Sequence, residues 1–146
     1  MIALGSDHAG FAYKEQIKKL LETLNKPYRD FGTSSTDSTD YPDYAHAVAE
    51  AVGKGACEQG ILVCGTGIGM SIVANKHKGV RAAVCESSTA ARLAREHNNA
   101  NILTLGERLI GWEAAADIVK TFLATEFAGG ERHTRRVNKI HSLTNL

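Results

Sequence analysis

The sequence predicts a three-layer α/β/α sandwich built on a five-stranded parallel sheet with a C-terminal helix. Three observations carry this. Short apolar runs alternate with longer stretches of helical period, in the order β-α repeated five times. No hairpin signal joins any two of the runs, and parallel strands need crossovers of about this length. The 146 residues suit one domain spanning the whole chain, and 43% of them are hydrophobic, enough for one sizeable core.

Each element follows from local pattern. Residues 2–4 form a short first strand. Residues 10–24 carry Phe11, Ile17, Leu20, Leu21 and Leu24 at helical spacing. Residues 27–31 are a weaker strand, and 33–40 are polar loop. Residues 44–52 read as a second helix, closed by Gly53 and Gly55. Residues 60–64 are the clearest buried strand, short, apolar and opened by a glycine. A helix from Gly67 or Ile68 to about Lys76 follows. Residues 80–85 are a strand, and 87–97 a helix with Ser87 or Ser88 as N-cap. Residues 101–105 make the fifth strand and 111–125 a long helix. After Gly129-Gly130 a basic segment ends as a helix. The arrangement is Rossmann-like, with right-handed connections expected. Ligands in such open sheets sit at the carboxyl ends of the strands. Asp7-His8, Cys64-Gly65-Thr66 and Cys85-Glu86 fall at those ends, so one shared cleft is expected to collect them.

Composition narrows the function. Seventeen basic and 16 acidic residues leave a net charge of +1, which gives no global support for nucleic-acid or membrane binding. No apolar run approaches the roughly 18 residues of a membrane helix. Residues 1–4 lack the basic flank of a signal peptide. Three cysteines without a C-x-x-C spacing suggest neither a disulfide framework nor a zinc ribbon, so a reducing cytoplasm is expected.

The loop Cys64-Gly65-Thr66-Gly67-Ile68-Gly69 carries the strongest chemical signal. Its alternating glycines let backbone approach a ligand without Cβ obstruction. The helix that follows aims unpaired N–H groups at an anion. Position 70 is Met and the strand is the third, so this is not a dinucleotide fingerprint. No Gly-Lys-Ser/Thr follows, so it is not a P-loop. A tight turn with glycines for packing is the alternative. Cys64, at a strand end before a helix, suits a nucleophile or a carbon-acid base; a buried apolar cysteine is the plainer possibility. Asp7-His8 suits hydroxyl or phosphate binding and proton transfer, or helix capping by Asp7. His97 could complement a helix dipole. Arg132 and Arg136 share a helix face that suits a phosphate, or simply face water. Tyr41-Pro42-Asp43-Tyr44 could stack on a sugar or start the second helix. The six histidines are scattered, no metal-binding spacing is present, and no G-x-S-x-G elbow supports a serine hydrolase.

Taken jointly, these segments resemble the ribose-5-phosphate isomerase B family, in the group that also holds the galactose-6-phosphate isomerase subunits. The resemblance rests on residues 5–10 (GSDHAG), Asp40-Tyr41-Pro42, residues 64–71 (CGTGIGMS), Ala74-Asn75-Lys76, Arg81-Ala82, residues 96–101 (EHNNAN) and Gly129-Gly130 with Arg132-His133. It implies interconversion of ribose 5-phosphate and ribulose 5-phosphate through a cis-enediolate, without metal or organic cofactor. It also implies a homodimer or dimer of dimers with shared active sites, residues 131–146 contacting the partner subunit. Cys64 matches the general base. Gly65, Gly67, Ile68, Gly69, Met70 and Ser71 match the loop that stabilises the oxyanion. Thr66 and His97 match residues that assist ring opening. Asp7, Tyr41 and Asn98 match hydroxyl ligands. His8, Arg132 and Arg136 match phosphate ligands, with Arg108 joining from the partner subunit. Glu131 departs from the family pattern, in which arginine and histidine follow the two glycines directly, and leaves open whether Arg135 or Arg136 faces the phosphate. A hexose-6-phosphate (allose or galactose) isomerase of the same family, or a non-catalytic phosphosugar sensor, are the competing readings.

Overall fold

A computed structural model describes all 146 residues. The chain runs β1 (Ile2–Ser6), a 3-10 turn (His8–Gly10), α1 (Phe11–Thr23), β2 (Tyr28–Asp30), α2 (Tyr41–Gly53), β3 (Gln59–Cys64), α3 (Ile68–Ala74), β4 (Ala82–Val84), α4 (Ser88–Asn98), β5 (Ile102–Gly106), α5 (Trp112–Ala124) and α6 (Glu131–Thr144). All strand pairs are parallel, in the order β2-β1-β3-β5-β4. The strand order reverses between β1 and β3, which places a crevice above their carboxyl ends.

The layering follows from strand alternation, because successive side chains point to opposite faces. In β3, Ile61 and Val63 join one apolar cluster, while Leu62 and Cys64 join the other. The first cluster is closed by α1, α4 and α5, through Ile17, Leu21, Ala91, Ile118, Val119 and Phe122. The second is closed by α2 and α3, through Ala45, Val48, Val52, Met70 and Ala74. No helix is long and apolar enough to cross a membrane.

Several observed boundaries differ from expectation; β1, for one, runs two residues further, to Ser6. Helix α2 starts at Tyr41 rather than Tyr44, because Pro42 sits in its first turn, where no N–H is missed. Helix α3 stops at Ala74 rather than Lys76. There the Asn75 side chain turns to bond both the N–H (2.8 Å) and the carbonyl (3.0 Å) of Ala82. The fourth strand shrinks to three residues at the sheet edge. Ser87 does cap α4, accepting the Ala90 N–H at 3.0 Å.

One buried charge braces the β1–β2 side. Lys14 on α1 is only 1% exposed and reaches both Asp30 oxygens at 2.6 and 2.7 Å. Burial pushes the Asp30 carboxyl up, but the Lys14 ammonium, the Gly32 N–H and Lys18 outweigh it and hold Asp30 below the usual carboxylate range. A depressed acid stabilises the fold above its unfolded pKa of about 3.9 and loses that contribution as pH falls further. Asp30→Ala is expected to cost about 3 kcal/mol at neutral pH by leaving the buried Lys14 ammonium with only the Glu15 carboxylate, 3.9 Å away. Urea unfolding at pH 7 checks this, and below pH 4 the gap to wild type should narrow.

Candidate active site

Three neighbouring strands end level with one another. Ser6 pairs with Val63, and Cys64 with Gly106, so Asp7, Gly65 and Glu107 emerge side by side above the sheet. The loop after β3 is fixed from below: the N–H groups of Glu107 and Arg108 donate to the carbonyls of Cys64 (2.9 Å) and Gly65 (3.0 Å).

Cys64 is 5% exposed, and its Sγ accepts the Gly67 N–H at 3.1 Å. The sulfur thus faces the turn at the foot of α3. Gly67 holds φ +76°, and a Cβ there would meet the Leu105 backbone at 2.9 Å, so only glycine lets the loop lie this close to β5. A Cβ on Gly69 would sit 2.7 Å from the Tyr41 ring, which lies against the loop with its side chain part-exposed. Within the loop, the Ile68 N–H donates to Thr66 Oγ1 at 3.2 Å, and the Ser71 N–H to the Gly67 carbonyl at 3.2 Å. The N–H groups of Gly65, Thr66, Gly69 and Met70 meet no protein acceptor. They leave free donors in the same turn that carries the sulfur's Gly67 contact, groups of the kind that stabilise developing negative charge on oxygen.

The side chains of two loop residues point away from the turn at the sulfur. The Met70 side chain is fully buried in the core with Ala74, leaving only its N–H toward the loop. The Ser71 hydroxyl donates to the Ile68 carbonyl at 2.8 Å, so both its polar groups are engaged in the helix.

Asp7 caps the turn that follows β1, with Oδ1 accepting from Ala9 (3.0 Å) and Gly10 (3.1 Å). The capping alternative is therefore realised, but Oδ2 keeps no protein donor and stays available to a hydroxyl. His8 Nδ1 accepts the Thr39 N–H at 3.2 Å, which leaves Nε2 as the ring nitrogen without a protein partner. Arg108 lies against Gly65 of its own chain, its side-chain atoms 3.3–3.4 Å from where a Cβ would stand. It belongs to the same half of the site as Cys64.

Glu107 is a residue that motif reading passed over. It follows β5 as Asp7 follows β1, and that strand-end position was the available signal. Its Oε1 accepts the Tyr13 N–H at 2.8 Å, tying the first turn of α1 to β5. Burial pushes its carboxyl up, the Tyr13 N–H and Arg108 offset this in part, and the nearby Asp7 charge adds to the rise.

Cys85-Glu86 does not join the cleft. Strand β5 inserts between β3 and β4, which moves the end of β4 to the sheet edge. Cys85 itself packs in the cluster on the opposite face, where burial pushes its thiol up to about 11.

His97 and Asn98 lie elsewhere. They end α4, which returns the chain to the amino end of β5. From Ile102 to Gly106 the strand advances four residues, about 13 Å at 3.3 Å each. Within one chain, His97 and Cys64 therefore lie toward opposite ends of β5. It has company there. The His97 ring stacks on His133 of α6, with centroids 4.6 Å apart and planes 9° from parallel. Burial, His97, Arg132 and Arg136 together hold His133 below the usual histidine range. The site residues thus form two groups: Asp7, His8, Tyr41, Cys64–Met70 and Arg108 at the carboxyl ends, and His97, Asn98, Arg132 and Arg136, with His133, at the other.

Comparison with known proteins identifies the family. Residues 2–140 match the Ribose/Galactose Isomerase family. The chain is 46% identical to ribose-5-phosphate isomerase B of Escherichia coli over 142 residues, covering 97% of this chain and 95% of that one. The solved ribose-5-phosphate isomerase B of Clostridium thermocellum superposes with a TM-score of 0.96 at 52% identity, covering 99% and 97% of the two chains. That of Mycoplasma genitalium, solved with bound ribulose-5-phosphate, gives a TM-score of 0.94 at 42% identity, covering 99% and 95%. With its fold and nearly its whole length in common with these enzymes, the chain belongs to the ribose/galactose isomerase family and is a sugar-phosphate isomerase.

Proposed function

We propose that the chain interconverts ribose 5-phosphate and ribulose 5-phosphate, with Cys64 as the general base. The observation that carries this is the Cys64 sulfur bonded into the same turn as a set of unpaired loop N–H groups. An aldose–ketose isomerisation needs those two things together: a base to move a proton between C2 and C1, and donors for the enediolate oxygen formed meanwhile. In this reading the thiolate takes the C2 proton of the open-chain sugar and returns it to C1, while the O2 hydroxyl proton passes to O1. The amides of Gly65, Thr66, Gly69 and Met70 hold the oxyanion. Asp7 Oδ2 and Tyr41 bind hydroxyls, and His8 Nε2 and Arg108 face the phosphate.

Thr66, in the same loop as Cys64, assists ring opening. The remaining roles require a second copy: His97 also assists ring opening, Asn98 binds a hydroxyl, and Arg132 and Arg136 bind phosphate. Because the α4–α6 group sits at the far end of its own sheet, it serves the Cys64 loop of another subunit, and α6 crosses the boundary. The homodimer this demands is supported by apolar surface next to the loop: Ile68, Ile72 and Leu109 are more than half exposed. The reaction as drawn uses no metal or organic cofactor. Three free cysteines suit a reducing, cytoplasmic setting.

Assays on ribose 5-phosphate, allose 6-phosphate and galactose 6-phosphate test the substrate. The pentose should give the highest kcat/KM, and a preference for either hexose would reassign the enzyme within its family. Arg136→Ala removes binding remote from the reacting carbons. It should raise KM about 10–100-fold with kcat nearly unchanged, as expected for one hydrogen bond to a charged group. Steady-state kinetics checks this, and Arg135→Ala is the control for which arginine faces inward.

A further inference from the structure

We infer that His46 and His77 form a surface binding site for a borderline transition-metal ion such as Zn²⁺ or Ni²⁺. The two residues are 31 apart in sequence, so no spacing motif reports them. The fold joins them where α2 packs on the end of α3. His46 Nδ1 lies 2.7 Å from His77 Nε2, with ring centroids 4.9 Å apart.

The hydrogen-bond pattern fixes the tautomers. His77 Nδ1 faces the carbonyls of Val73 (3.0 Å) and Ala74 (3.3 Å). Carbonyls only accept, so this nitrogen carries the proton and Nε2 presents a lone pair. His46 Nδ1–H then donates to it. A backbone carbonyl held by one ring nitrogen while the other points outward is the usual support of a metal-binding histidine. His77 is thus oriented as a ligand by contacts that have nothing to do with His46.

Two imidazole nitrogens on one ion stand roughly 2.9–3.4 Å apart, for bonds of about 2.0–2.1 Å and angles of about 90–109°. From 2.7 Å the pair must open by a few tenths of an ångström, and the rings must tilt so that their lone pairs converge on the ion rather than face each other; the exposed His46 side of the pair leaves room for that tilt. His46 must move its proton from Nδ1 to Nε2, which faces solvent, so the exchange releases no proton overall. Glu50, one helical turn from His46, lies within electrostatic reach of both rings but is held by Lys54 at 2.6 Å. No third His, Cys, Asp or Glu completes a closed cluster. The ion therefore keeps water in its remaining positions, and imidazole-seeking ions are preferred over Mg²⁺ or Ca²⁺.

Calorimetric titration of the full chain with ZnCl₂ and with NiCl₂ tests this. One equivalent per chain should bind, and both His46→Ala and His77→Ala should lose it; MgCl₂ should give no such equivalent. Imidazole ¹⁵N spectra of the wild type should show His46 changing from the Nδ1–H to the Nε2–H form on saturation with Zn²⁺. An equivalent that survives both variants would overturn the assignment, as would its loss in Cys64→Ala or His133→Ala instead. An unchanged His46 tautomer at saturation would do the same.

Discussion

Replacing Cys64 by alanine should lower kcat by about 10²–10⁴-fold, the usual contribution of a positioned general base, while a non-reacting phosphate ligand binds as before. The physical reason is separation of tasks. The sulfur touches the Gly67 N–H and the core side of the loop, and it supports no phosphate ligand of the proposed set. Losing it leaves the loop's own scaffold in place, because Glu107 and Arg108 hold the carbonyls of Cys64 and Gly65 through backbone that alanine retains. Exchange of the C1 proton of ribulose 5-phosphate with solvent, followed by NMR, should vanish along with turnover. Retained exchange would move the base to another group. Glu107, half-buried with its carboxyl pushed up by burial, is then the next to test.

His97→Ala should separate ring opening from proton transfer. Ribose 5-phosphate is mostly a furanose. Ribulose 5-phosphate cannot close that ring, because its C5 oxygen carries the phosphate. Removing an acid–base group that acts on the ring should slow overall isomerisation about 10²-fold while solvent exchange at C1 of ribulose 5-phosphate continues. The stacked partner His133 makes the position sensitive: its ring lies 4.6 Å from that of His97, so the substitution also removes a packing face. His97→Gln keeps bulk and a hydrogen-bonding end. If it restores binding without turnover, ring opening rather than packing is the lost function.

Much of the frame was readable before any coordinates. The strand at β3 was marked by its apolar run ending in Cys64, and the glycine loop by its alternation. These are local signals, and local sterics explain them: Gly67 at φ +76° beside the Leu105 backbone accepts no other residue. The separation of His97 from Cys64 was also implicit, since a crossover helix must return the chain to the amino end of the sheet. What stayed hidden depends on contacts between distant segments. Nothing in β4 or β5 announces that β5 inserts between β3 and β4, and that insertion removes Cys85 from the cleft. Helical phase alone does not say that Met70 turns to the core while Gly69 lies under Tyr41. Lys14 reads as a surface lysine, and only the position of Asp30 on the neighbouring strand makes it a buried brace. His46 and His77 meet for the same reason, through the packing of α2 on α3.

The central claim is that each active site joins the Cys64 loop of one subunit to the His97–Arg136 group of another. Mixing the impaired Cys64→Ala and His97→Ala chains, with subunit exchange, and assaying isomerisation of ribose 5-phosphate tests it directly. In a two-fold dimer with shared sites, half the dimers are mixed and each carries one site free of both substitutions, so about a quarter of wild-type activity should return. If each chain held a complete site, every site would carry one substitution and the mixture would stay as inactive as its components.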